Sequence, residues 1–198
     1  MTVIRPSHRR LAVRLLAALA LAGGLAAGAA AQESYPADVP DFGHFESFPA
    51  VVDDYERGGV HTFAPGMVDF SIGYNSNGAA LANAVTLYFY PRRLDKPAQA
   101  RDEERQVLQA HPGGRITDRR TIVLTHGARS QEATLVTYAF DGDFGGRQQP
   151  LASQQLLVFR DKGIFMVRST APERQGPAAE RAMLALVQRI DWDAIPDR

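Results

Sequence analysis

With 198 residues and a balance of 22 basic and 22 acidic side chains, the chain lacks the basic surplus that phosphate neutralisation demands, which argues against nucleic-acid binding. It contains no cysteine, and this excludes disulfides, thiolate nucleophiles, cysteine-ligated zinc and lipid attachment through a thiol.

The first 31 residues differ in character from the rest. Arg5, His8, Arg9, Arg10 and Arg14 form a positive opening, an apolar run of mostly Leu, Ala and Gly extends from Leu15 to Ala31, and Ala29-Ala30-Ala31 supplies a small-residue cleavage pattern. That order predicts a secretory signal peptide. The apolar run is near the lower limit for spanning a bilayer of about 30 Å, so cleavage is expected rather than anchoring. Arg9-Arg10 leaves twin-arginine export open beside the general secretory route. The segment holds four arginines and no acid, so the expected mature chain has 18 basic and 22 acidic groups. It is expected to be a single periplasmic domain with no stable membrane anchor.

Residues 32–66 are broken by Pro36, Pro40, Pro49 and Pro65, with Phe42, Phe45 and Phe48 at three-residue spacing. They read as a Pro/Phe-rich lead-in that lays aromatics on an α+β domain spanning 67–198. Val68, Phe70, Ile72 and Tyr74 alternate with polar or small residues, the period of a half-buried strand. Asn75-Ser76-Asn77-Gly78 turns the chain, and Ala84 to Tyr90 forms an antiparallel partner ending at Pro91.

Asp95 is placed to cap a helix with Pro97 in its first turn. The helix should reach Ala110 and stop at His111-Pro112-Gly113-Gly114. On it, Ala100, Glu104, Val107, Leu108 and His111 share one face. Strands follow at Ile116 to Thr125, Gln131 to Phe140, Ala152 to Arg160 and Ile164 to Thr170. A last helix with a broad stripe of Ala179, Ala182, Met183, Leu186, Val187 and Ile190 leads into Trp192. Hairpins dominate, so the expected class is α+β: a largely antiparallel sheet of about six strands covered by two helices.

Candidate chemistry is sparse. No Gly-x-Ser-x-Gly elbow supports a serine nucleophile. Burial on the first helix could tune Glu104 and His111 for acid–base work. Asp141 and Asp143, in a loop spaced like the opening of a calcium loop, are metal candidates, but the distal bidentate Glu is missing. Asp53, Asp54, Glu56, His44 and Glu46 read as solvated surface. Tyr88 and Tyr90 with Arg92 and Arg93 place aromatics beside cations, a pattern suited to an anion or a partner protein. No cofactor is expected.

Three stretches resemble the PsbP-like family: Val85-Thr86-Leu87-Tyr88-Phe89-Tyr90-Pro91 before a helix, Asp161-Lys162-Gly163 leading into Ile164-Phe165-Met166-Val167-Arg168, and the close on Ile190-Asp191-Trp192. The resemblance implies an antiparallel sandwich with flanking helices and a non-catalytic accessory or binding role. It assigns no site residue. The expectation is therefore an exported periplasmic binding or assembly-accessory protein whose partner is an envelope protein or small ligand. The alternatives are an envelope enzyme using carboxylate and histidine groups, and a small-ligand or metal carrier.

Overall fold

A computed structural model describes residues 48–63, 69–78, 81–126, 129–161 and 163–192; the expected signal peptide, Phe42 and Phe45 lie outside them. In chain order the elements are β1 (Val51–Val52), β2 (Tyr55–Thr62), β3 (Phe70–Asn77), β4 (Ala82–Pro91), α1 (Lys96–Ala110), β5 (Arg115–His126), β6 (Arg129–Asp143), β7 (Gln148–Phe159), β8 (Gly163–Pro172), a short 3-10 turn (Glu173–Gln175) and α2 (Gly176–Arg189).

Among the described residues, eight strands join one antiparallel sheet in the order β1-β2-β3-β4-β8-β7-β6-β5. Two meanders meet where β4 pairs with β8, with Phe89 opposite Phe165 and Leu87 opposite Val167. The expectation of a PsbP-like sandwich of about six strands is corrected: among the described residues one large sheet of eight strands forms, because residues read as lead-in supply β1 and β2. Their sequence hides them. Tyr55-Glu56-Arg57-Gly58-Gly59-Val60 has no apolar alternation, and the pairing with β3 shifts register between Arg57 and Val60. Asp53 takes a positive φ of 50° in the turn from β1 to β2.

Side chains alternate between the two faces of the sheet. Phe89, Phe165, Val167, Leu156 and Val158 point to one side, where Met183, Leu186 and Val187 of α2 cover them together with Ile190 and Trp192. Phe48, from the lead-in, closes the same core with its ring edge-on to Phe89 at 5.6 Å. Val136, Tyr138, Phe140 and Leu151 point the other way, toward Val107 of α1. β7 lies between β6 and β8 with cover on both faces, which is why it is buried at every position from Leu151 to Val158.

α1 begins where the sequence places it. Asp95 Oδ1 accepts the Ala98 amide at 2.8 Å, satisfying one of the unpaired donors of the first turn. Asp95→Ala is expected to cost about 1 kcal/mol, read as a lower urea midpoint with an unchanged slope; an unaltered midpoint would show that tertiary packing alone fixes the helix start.

The face that α1 turns to the sheet is the expected one only at Val107, which is buried. Gln99 and Glu103 are buried beside it, while Ala100, Glu104 and Leu108 of the expected stripe are only partly covered. The two polar ones satisfy each other, Gln99 Nε2 donating to Glu103 Oε1 at 2.7 Å.

Candidate functional site

Between α1 and the sheet lies a small, partly open cleft with a cavity volume of about 50 Å³. Glu103, Gln106 and Val107 of α1 form its roof. Tyr88 and Tyr90 of β4, Gln155 of β7, and Met166 and Arg168 of β8 form its floor, and Phe63 and Asp69 flank it from the connection between β2 and β3. The floor residues alternate with core residues: Met166 and Arg168 fall between Phe165, Val167 and Ser169, so one strand supplies the α2-facing core and the cleft at once.

Arg168 dominates the floor. Its Nη2 donates to Ser153 Oγ at 3.1 Å, and its guanidinium carbon lies 5.8 Å from the Tyr138 ring centroid, in cation–π range. The residue as a whole keeps some exposure, yet its Nε is buried and has no hydrogen-bond partner. Desolvation makes the charge costly and pulls its pKa down, while Tyr88, Tyr138 and Glu103 oppose that shift.

Glu103 is 5 % exposed and accepts from Gln99 Nε2 at 2.7 Å. Desolvation raises its pKa above the usual carboxylate range, against hydrogen bonds from Tyr90 and Gln99. The Tyr90 hydroxyl also stands 3.6 Å from Met166 Sδ; a single proton goes to the stronger acceptor, the carboxylate. Tyr138 donates to Gln155 Oε1 at 2.7 Å, and Gln155 Nε2 approaches Met166 Sδ at 3.2 Å. Burial pushes the Tyr138 and Tyr88 hydroxyls further above their usual range, so both stay protonated donors. The result is a largely aromatic and apolar cleft lined by one guanidinium and two buried carboxyls, Asp69 and Glu103.

The residues singled out from sequence fall in different places. Tyr88 and Tyr90 line the cleft. Arg92 donates to the Asp161 carbonyl at 3.0 Å and Arg93 is exposed at the strand end, so the aromatic and basic halves of that constellation separate. Glu104 is not in the cleft lining: Arg119 holds it, with Nε to Oε1 at 2.8 Å. His111 ends α1 stacked on Phe140 at 3.7 Å. Asp141 and Asp143 are exposed, and Asp143 Oδ1 accepts the Gly146 amide at 3.2 Å in a turn whose Gly145 and Gly146 take positive φ. Asp53, Asp54 and Glu56 are exposed, and His44 and Glu46 lie outside the described residues. Among the described residues no three His, Asp or Glu side chains converge as a metal site.

Sequence reading missed Arg168, Glu103, Gln99 and Gln155. The available signal was an arginine inside the apolar run Ile164-Phe165-Met166-Val167-Arg168, matched by Ser153-Gln154-Gln155 inside another strand. Charged and amide side chains seldom sit in doubly covered strands without a purpose.

No protein-family model matches the chain, and no curated protein is significantly similar to it. Solved structures of similar shape include PA94 from Pseudomonas aeruginosa, a protein of unknown function, at 16 % identity and TM-score 0.44 over 76 % of this chain and 88 % of that one. LpqN of Mycobacterium tuberculosis, described as involved in cell envelope biogenesis, gives 13 % identity and TM-score 0.44 over 69 % of this chain and 76 % of that one. The likeness is one of general shape, and no residue role is carried over from either.

Proposed function

We propose that this chain is an exported, non-enzymatic binding or accessory protein of the bacterial periplasm that holds a small ligand between α1 and its sheet. The observation that carries the reading is the cleft between α1 and the sheet, lined by Tyr88, Tyr90, Met166 and Arg168. Small-ligand sites are concave, largely apolar and supplied with a few directed polar groups, and this cleft has that make-up. The arginine-led apolar start supports export, and among the described residues no helix is long and apolar enough to cross a membrane. The accessory role is also what the PsbP-like resemblance implies.

Glu104 and His111 offer a weaker basis for an acid–base enzyme. Neither lines the cleft, Glu104 is committed to Arg119, and burial holds His111 at about 4, too low for a general base working near neutrality.

The test is native mass spectrometry of the C-terminally tagged protein purified gently from the cell envelope, with a thermal-shift screen of small metabolites. A retained small molecule is expected, and a compound at a hundred times its Kd adds about 2.7 kcal/mol, a rise in Tm of about 5–10 °C for a chain of this size. A bare polypeptide mass together with no stabilising compound would refute binding. Recovery of protein beginning at Met1 from the cytosol would refute export.

A further inference from the structure

We infer that β5 is a docking edge for a second copy of this chain, the two β5 strands pairing antiparallel about a two-fold axis at Val123. The sheet order ends at β5, a strand of 12 residues, whereas the opposite end is closed by β1, which has only 2. A long terminal strand presents a row of unpaired amides and carbonyls, which proteins usually guard with charge, bulges or brevity. On β5 the guards sit in one half only. The pairing with β6 shifts register between Ile116 and Asp118. Asp118 and Arg120 pair with each other, Arg120 also reaches Glu180, and Arg119 holds Glu104. From Thr121 to Thr125 the strand has neither charge nor proline, and Val123 is one of three large apolar side chains left exposed among the described residues.

The unguarded half is self-complementary. With Val123 on the axis, Ile122 stands opposite Leu124 of the second copy and Thr121 opposite Thr125, and like faces meet because paired positions share the same parity. Ile122 and Leu124 belong to the core beneath α2, so their pairing continues that core across the axis. Thr121, Val123 and Thr125 are exposed on the other face, where β-branched side chains pair well. Moving the axis back to Ile122 sets Arg120 against Leu124, and moving it to Arg120 sets two guanidiniums face to face. The charge pattern thus holds the axis in the uncharged segment, of which Val123 is the midpoint. A ladder this short falls well below the about 20–30 residues a side of a standard interface, so the dimer is weak. Dilute protein is monomeric, with Val123 in water, and concentrated protein associates.

The experiment uses the chain's lack of cysteine. The tagged protein carrying Val123→Cys is treated with a short bismaleimide at near-millimolar concentration, beside Val51→Cys, a control equally exposed at the opposite edge of the sheet. Directly opposed Cβ atoms lie about 4.5–5.5 Å apart, so Val123→Cys is expected to give a crosslinked dimer and Val51→Cys to stay monomeric. Sedimentation velocity from low micromolar to near-millimolar concentration is expected to show the parent moving from monomer to dimer. Val123→Lys sets two ammonium groups across the axis and supplies the missing guard. It is expected to raise the dimer dissociation constant at least about tenfold, with an unchanged circular dichroism spectrum. A parent that sediments as a monomer throughout, a dimer that Val123→Lys does not weaken, or crosslinking as strong through Val51→Cys each overturns the assignment. Capture of a different envelope protein through Val123→Cys, with no self-dimer, also overturns it and gives the edge to a foreign strand.

Discussion

Replacing Phe165 with alanine is expected to lower the free energy of unfolding by about 3–5 kcal/mol, the range for deleting a buried aromatic ring. Phe165 is fully buried at the centre of the sheet, on β8 where the two meanders join. Its ring stacks on Phe89 at 4.8 Å and on Trp192 at 5.3 Å, so truncation removes contacts with β4 and with the segment after α2 together. Neighbouring strands hold the backbone in place, and the space left cannot collapse cheaply. Urea denaturation measures the loss. Val123→Ala, at a position 63 % exposed on edge strand β5, should stay within about 0.5 kcal/mol of the parent. A cost below about 1 kcal/mol for Phe165→Ala would mean that the two meanders do not depend on this stack.

The same strand shows what could be read in the sequence. Ile164-Phe165-Met166-Val167 is plainly a strand, and the Asp161-Lys162-Gly163 turn predicts its pairing with β7. The strongly periodic elements were legible for that reason: β3 and β4 through alternation, α1 through Asp95, α2 through its broad apolar stripe. β1 and β2 were not, because β1 is two residues long and β2, with Gly58 and Gly59, carries no period and owes its conformation to pairing with β3. The site was harder still. Whether Arg168 faces solvent or an enclosed cleft depends on which strands become central and on where α1 lies, and both are set by long-range pairing. Glu103 and Glu104 are adjacent in sequence and about 100° apart around the helix. Only the position of the sheet selects Glu103 for burial and leaves Glu104 to Arg119. A stripe interrupted by Gln99 and Glu103 looks weak to any rule that seeks a dry core, yet the two are buried as a hydrogen-bonded pair. Tyr88 and Tyr90 were found as an aromatic pair, but their direction, inward rather than toward a partner surface, needed the pairing of Tyr88 with Met166.

Acidification is expected to destabilise the fold through His111. The ring stacks on Phe140 at 3.7 Å, and burial, with the Arg168 charge as a lesser cause, lowers its pKa from 6.5 to about 4. Above pH 6.5 the imidazole is neutral in both folded and unfolded chains, and the stacking is fully retained. As the pH falls below 6.5 the unfolded chain takes up the proton first, so stability is lost progressively until about pH 4, where the folded ring also protonates. A shift of this size corresponds to about 3 kcal/mol for a fully shielded group; partial solvent access to the ring reduces the expected loss to about 1–2 kcal/mol. Glu103 works in the opposite sense: its raised pKa lets the folded state bind a proton before the unfolded one, so that group favours folding as the pH drops. Glu103→Gln should therefore steepen the acid-side loss, and His111→Phe, which keeps a ring against Phe140, should flatten it. Urea denaturation of the three proteins at half-unit steps from pH 4 to pH 7.5 separates the two contributions. If His111→Phe declines as steeply as the parent, the loss belongs to other groups and the neutral stacked imidazole is not what holds the end of α1 to the sheet.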